Sequence, residues 1–216
     1  MRAVVTLFGS DFTDACRQLA DEVKSRHALP DMMVGIRSGG ACVAEAMAPH
    51  MPGVALAEVT LRRPSTARKA PLSWLLRSMP RWLANALRRV EASMRMKNAR
   101  RKALRQGITL PHVTLPDTLT ASSPRSVLIV DDSTDTGITL AAVAAAVCEA
   151  LPEATVTAAV IARTESEQVV DLPEGVELHT PLYSDGSLVR FPWSLDSPRR
   201  AHELLTNLDT PSQSAR

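Results

Sequence analysis

A chain of 216 residues with 45% apolar content can build one domain with a generous core, or one domain carrying a large insertion. No apolar run approaches the roughly 18 residues that a membrane span needs, and the start, MRAVVTLFGSDF, meets acid too early for a signal peptide. Cys16, Cys42 and Cys148 lack metal-ligand spacing, which points to a reducing, cytoplasmic setting and away from a disulfide framework. The formal net charge of +2 hides an asymmetry: residues 61–106 hold 14 bases and one acid, Glu91, against 11 bases and 22 acids elsewhere.

In chain order, residues 3–8 read as a strand. Residues 11–27 read as a helix, because Phe12, Cys16, Leu19, Ala20 and Val23 fall at helical spacing; Ser10 or Asp11 could cap it. Residues 32–36 form a short apolar run that ends in Arg37-Ser38-Gly39-Gly40, and an Ala-rich helix follows to about His50. Residues 54–61 are a strand candidate, and the basic segment 62–106 reads as an insertion. Residues 108–115 are read as a returning strand and 116–124 as a loop. Residues 127–130 are a buried-type strand, 137–150 a helix and 155–162 the next strand. Short strands and turns are expected over 169–193, a helix over 198–208, and a disordered polar tail over 209–216. The fold class is therefore α/β, a single domain over 1–216 with helices flanking a parallel sheet. In such sheets ligands bind beyond the carboxyl ends of the strands.

Both sharp motifs fall at that edge. Val127-Leu128-Ile129-Val130 runs straight into Asp131-Asp132, and adjacent carboxylates are costly unless a ribose diol, a metal ion, or both use them. Ser133-Thr134-Asp135-Thr136-Gly137-Ile138-Thr139 then opens a helix, whose N-terminal N–H groups and dipole suit a phosphate. Helix capping alone explains one or two such residues but not this density. A Gly pair after a strand, as at Gly39-Gly40, is by itself often only a tight turn.

The stretch Val127–Thr139 resembles the signature loop that binds phosphoribosyl pyrophosphate (PRPP) in type I phosphoribosyltransferases. The resemblance implies that fold, with a hood. It gives Asp131 and Asp132 the ribose hydroxyls and Mg²⁺. Ser133 and Thr134 join them in holding PRPP, with Asp135, Thr136, Gly137, Ile138 and Thr139 around the 5′-phosphate. Asp135 is the implied catalytic proton acceptor near the base. Arg37, Ser38, Gly39 and Gly40 are similar to the family's pyrophosphate loop, with Arg37 one place earlier than the basic residue of many purine-specific members. Leu188-Val189-Arg190-Phe191-Pro192-Trp193 is similar to the end of the 6-oxopurine branch. That likeness implies Arg163 and Val189 as base-binding residues, with Leu188 where the branch carries a stacking aromatic; simple core packing is the competing reading of Phe191 and Trp193. The implied reaction is Mg²⁺-assisted displacement of pyrophosphate from PRPP by a nucleobase, purine-like by preference. Positioning and charge stabilisation carry it rather than a nucleophile with a histidine. The five histidines are scattered and read as structural or solvated.

Within the insertion, Leu83, Leu87, Val90 and Met94 make an apolar helical stripe, while Arg81, Arg88, Arg95 and Lys102 recur every seven residues. A hood over the active site, a homodimer contact, a nucleic-acid surface and a membrane-surface helix all fit this pattern, hood or dimer packing best. The function expected is a phosphoribosyltransferase enzyme. The alternative is a non-catalytic sensor of PRPP or a nucleotide whose basic insertion binds nucleic acid.

Overall fold

The structure is a computed structural model and describes residues 4–61, 109–164, 168–179, 181–184 and 188–194. The insertion 62–106, the expected helix 198–208 and the tail 209–216 lie outside the described residues.

The strands are β1 (Val4–Thr6), β2 (Met32–Ile36), β3 (Ala55–Leu61), β4 (Val113–Thr114), β5 (Ser126–Thr134), β6 (Thr155–Arg163), β7 (Glu177–Leu178), β8 (Tyr183–Ser184) and β9 (Leu188–Arg190). The helices are α1 (Ser10–Arg26), α2 (Gly39–Met47), α3 (Asp117–Ser122) and α4 (Ile138–Ala150), with a 3₁₀ turn at Ala48–His50. The main sheet runs β4-β3-β2-β5-β6-β7, with β8 also on β6. All its pairings are parallel except β3 with β4. A separate parallel pair joins β1 to β9, Val5 opposite Val189.

The central strands are buried on both faces, as parallel strands between helices must be. Alternation along β5 sends Leu128 and Val130 into one core with α1 and α2, including Phe12, Leu19, Val43 and Met47. Val127 and Ile129 go to the other, with Leu140, Val143 and Val147 of α4. Alanine-rich α4 combines high helix propensity with little bulk, so it lies close on the sheet.

Four local expectations need correction. Residues 116–124 are not simply a loop: α3 occupies Asp117–Ser122, starting after Pro116 and burying Leu119. It stops at Ser123, whose φ is 44°. Neither Ser10 nor Asp11 caps α1; Gly9 holds the cap position and no side chain bonds there. The strand expected over 108–115 is ordered as β4 for only two residues. Finally, β5 does not end at Val130 but continues through both acids to Thr134, because Ser133 and Thr134 still pair with Ala162 and Arg163 of β6.

Candidate active site

The residues singled out in the sequence meet at the carboxyl ends of β2, β5 and β6. Asp131 is buried at the end of the β5 apolar run, and its Oδ1 accepts the Asp132 N–H at 2.9 Å. Asp132 lies next along the strand. Its Oδ1 accepts the Ser133 N–H at 2.8 Å, and its Oδ2 accepts the Trp193 indole N–H at 2.7 Å. The Ser133 hydroxyl also donates to Oδ1, at 3.5 Å, and since a carboxylate oxygen has about two acceptor positions, Oδ2 keeps one for a ligand.

The Arg37–Gly40 loop closes on these acids from β2, its Arg37–Ser38 peptide cis. The Arg37 N–H donates to the Val59 carbonyl, while its exposed guanidinium stands 3.7 Å from Glu58. The two glycines are there for space. A β-carbon on Gly39 would lie 2.2 Å from Asp132 Oδ2 and 2.9 Å from Trp193 Nε1. One on Gly40 would lie 2.3 Å from the Val130 carbonyl oxygen. Gly35 has the same character: its β-carbon would meet Ala41 Cα at 2.6 Å, so it lets α2 approach β2.

Beyond the acids the chain turns into α4 through Gly137, whose φ of 77° suits glycine and whose missing β-carbon leaves room for the Val170 carbonyl. The Thr136 carbonyl accepts the N–H groups of Val169 and Val170, which ties the turn to the segment after β6. Asp135 Oδ1 accepts the Thr164 hydroxyl at 3.0 Å. Arg163 donates from Nε to Gln168 Oε1 at 3.1 Å and from a terminal nitrogen to the same oxygen. Gln168 in turn donates to the Val170 carbonyl. Arg163, Thr134 and Gly137, with Leu140, Gln168 and Val170, help line a cavity of about 230 Å³.

Not every expected residue joins this group. Val189 sits on β9, opposite Val5, and packs with the α1–α2 core rather than lining the cavity with Arg163. Phe191 and Trp193 do pack, their rings stacked at 5.2 Å and 3°, with Phe12 edge-on to Trp193 at 5.5 Å. Packing and a bond to Asp132 are therefore combined in Trp193. The histidines are not all scattered: His27 and His179 meet edge to face at 5.2 Å, and His27 stands 3.3 Å from Glu177. His179 is fully buried, and burial, with the neighbouring His27, holds its imidazole below the ordinary histidine value. Thr164, Gln168 and Gly35 had no motif to mark them in the sequence; Thr164 could have been suspected from its place directly after Arg163.

A model of the phosphoribosyl transferase domain matches residues 9–179. The chain belongs to the phosphoribosyl transferase family. Its class is that of phosphoribosyltransferase enzymes. No curated protein matches it in a sequence comparison. Among solved structures, the phosphoribosyl transferase fold is shared with a hypothetical protein from Neisseria gonorrhoeae with bound ppGpp, at TM-score 0.59 and 16% identity over 96% of this chain and 98% of that one. It is shared also with the xanthine-guanine-hypoxanthine phosphoribosyltransferase of Helicobacter pylori, at TM-score 0.54 and 14% identity over 95% and 98%. A purine phosphoribosyltransferase from Pyrococcus horikoshii gives 0.51 and 18% over 88% and 94%. At these identities the likeness is one of fold.

Proposed function

We propose that this phosphoribosyltransferase is Mg²⁺-dependent and transfers the ribosyl phosphate of PRPP to a purine-like nucleobase, releasing pyrophosphate. The observation that carries the reading is the convergence of Asp131-Asp132, Gly39-Gly40 and the Gly137 turn at one sheet edge. Asp131 and Asp132 take the ribose hydroxyls. The hydroxyls and backbone N–H groups of residues 135–139 take the 5′-phosphate, and Arg37 through Gly40 take the pyrophosphate. A base nitrogen forms its bond to the anomeric carbon as the bond to pyrophosphate breaks, and Asp135 receives the proton the base gives up. Arg163, beside the cavity, reads the base.

The donor set fits Mg²⁺. Carboxylate oxygens are hard ligands, and this ion is commonly held by one or two carboxylates together with substrate phosphates and water. Asp131 and Asp132 would hold it, and it would supply neutralisation of charge on the departing pyrophosphate.

A cytoplasmic homodimer goes with this reading; among the described residues no helix is long and apolar enough to cross a membrane. A second reading, a nucleotide sensor whose basic insertion binds nucleic acid, takes support from the Neisseria structure, which holds ppGpp. Screening purines, pyrimidines and orotate with PRPP and Mg²⁺ for released pyrophosphate separates the two. Turnover with a purine supports transfer. Absence of turnover, together with ppGpp binding and a salt-sensitive electrophoretic shift with RNA or DNA, supports the sensor.

A further inference from the structure

Asp132 Oδ2 is met by a side chain 61 residues away in the chain, the Trp193 indole. The contact is specific. The N–H donates at 2.7 Å, while the ring plane is fixed by stacking on Phe191 and by the edge of Phe12. Gly39 supplies the space: a β-carbon there would intrude on both Asp132 Oδ2 and Trp193 Nε1. Three parts of the chain, the loop after β2, the end of β5 and the turn after β9, thus converge on one carboxylate. A hydrogen bond to an ionised acceptor is stronger than a neutral one and has a preferred direction. With the Ser133 N–H and hydroxyl on Oδ1 and the indole on Oδ2, Asp132 has little rotational freedom left.

We propose that Trp193 is a positioning residue: its indole N–H fixes the Asp132 carboxylate in the orientation that receives the ribose hydroxyls. The inference rests on the reading of Asp132 as a ribose ligand and adds a residue from outside the PRPP loop to the machinery of ribose recognition. Phe12 and Phe191 act one step further back, by holding the indole.

The test uses the full chain and the Trp193→Phe variant, which keeps an aromatic ring and loses the donor. Affinities are measured calorimetrically for ribose 5-phosphate, 2,3-dideoxyribose 5-phosphate and inorganic phosphate. Wild type is expected to prefer the ribose compound. W193F should bind ribose 5-phosphate about tenfold more weakly, the loss expected for one hydrogen bond to a charged group, and leave the other two unchanged. Equal preference in wild type and W193F overturns the proposal while ribose binding stands. So does a uniform loss across all three probes, which marks a merely structural role. If wild type binds none of them, the ribose reading itself fails and the proposal falls with it. Should W193F not fold, the ligand-free indole N–H spectrum decides. The Trp193 indole resonance, assigned by triple-resonance experiments, should move upfield in Asp132→Asn; no movement overturns the proposal.

Discussion

Gly40 stands directly against the carbonyl of Val130, with 2.3 Å between that oxygen and the place a β-carbon would take, and 2.7 Å to Asp131 Cα. Both neighbours are backbone of the central strand and cannot swing aside. Gly40→Ala must therefore push α2 off β5, at a cost of about 1–3 kcal/mol as for other overpacked cores. Chemical denaturation reads this directly; an unchanged midpoint would contradict the packing described.

Gly39→Ala should behave differently. Its new methyl meets side chains, the Asp132 carboxylate and the Trp193 indole, rather than backbone. Those can rotate, so stability should suffer less than in Gly40→Ala. Binding should suffer more, with PRPP affinity falling about tenfold or more, the loss expected for one hydrogen bond to a charged group. The two alanine variants measured side by side, by denaturation and by calorimetry, check the contrast.

Gly137→Ala combines two faults. Its φ of 77° strains any L residue by about 1–2 kcal/mol. Its β-carbon would also lie 2.4 Å from the Val170 carbonyl. Gly175 offers a control, with φ of 83° and nothing within 4 Å. Gly175→Ala should show the strain alone, and Gly137→Ala a larger loss of stability together with loss of 5′-phosphate binding. Equal midpoints for the two variants would contradict the role given to Val170.

The setting of the candidate site was legible where it was local. Asp131-Asp132 and the hydroxyl-rich turn carry their meaning in consecutive residues, and their strand–turn–helix setting is present. Length of β5 was not legible, since its apolar pattern stops at Val130 while pairing with β6 carries it on to Thr134. The short helix α3 was hidden because only Leu119 of its six residues is buried, too little to give a period. Contacts between distant parts of the chain had no signal at all: Trp193 with Asp132, His27 with His179. Each is fixed by how the strands are ordered, not by spacing.

Buried His179 makes stability depend on pH. Its folded pKa lies below the ordinary value of 6.5, so between the two the unfolded chain binds more protons. Stability should be full above about pH 6.5 and fall as pH drops through the folded value. His179→Leu should flatten that slope in urea midpoints taken from about pH 7.5 to pH 5. An equal slope in both proteins would show that other groups carry the acid sensitivity.

Cys16 is fully buried, and burial pushes its thiol up to about 12 from the usual 9.0. Thiolate is the reactive form, so Cys16 should resist an aromatic disulfide reagent in the folded protein, while the part-exposed Cys42 and Cys148 react first. Mass mapping of the labelled sites checks the order. Labelling of Cys16 at the rate of Cys148 would contradict it.

The central claim is that the end of β5 holds a ribose and its 5′-phosphate. Calorimetric titration of the full chain with PRPP in the presence of Mg²⁺, beside the Asp132→Asn and Thr136→Val variants, tests it most directly. Wild type should bind with a Kd between about 1 μM and 1 mM, the range of most enzyme substrates, and both variants should lose that binding. Absence of binding in wild type, or undiminished affinity in Asp132→Asn, would contradict the account.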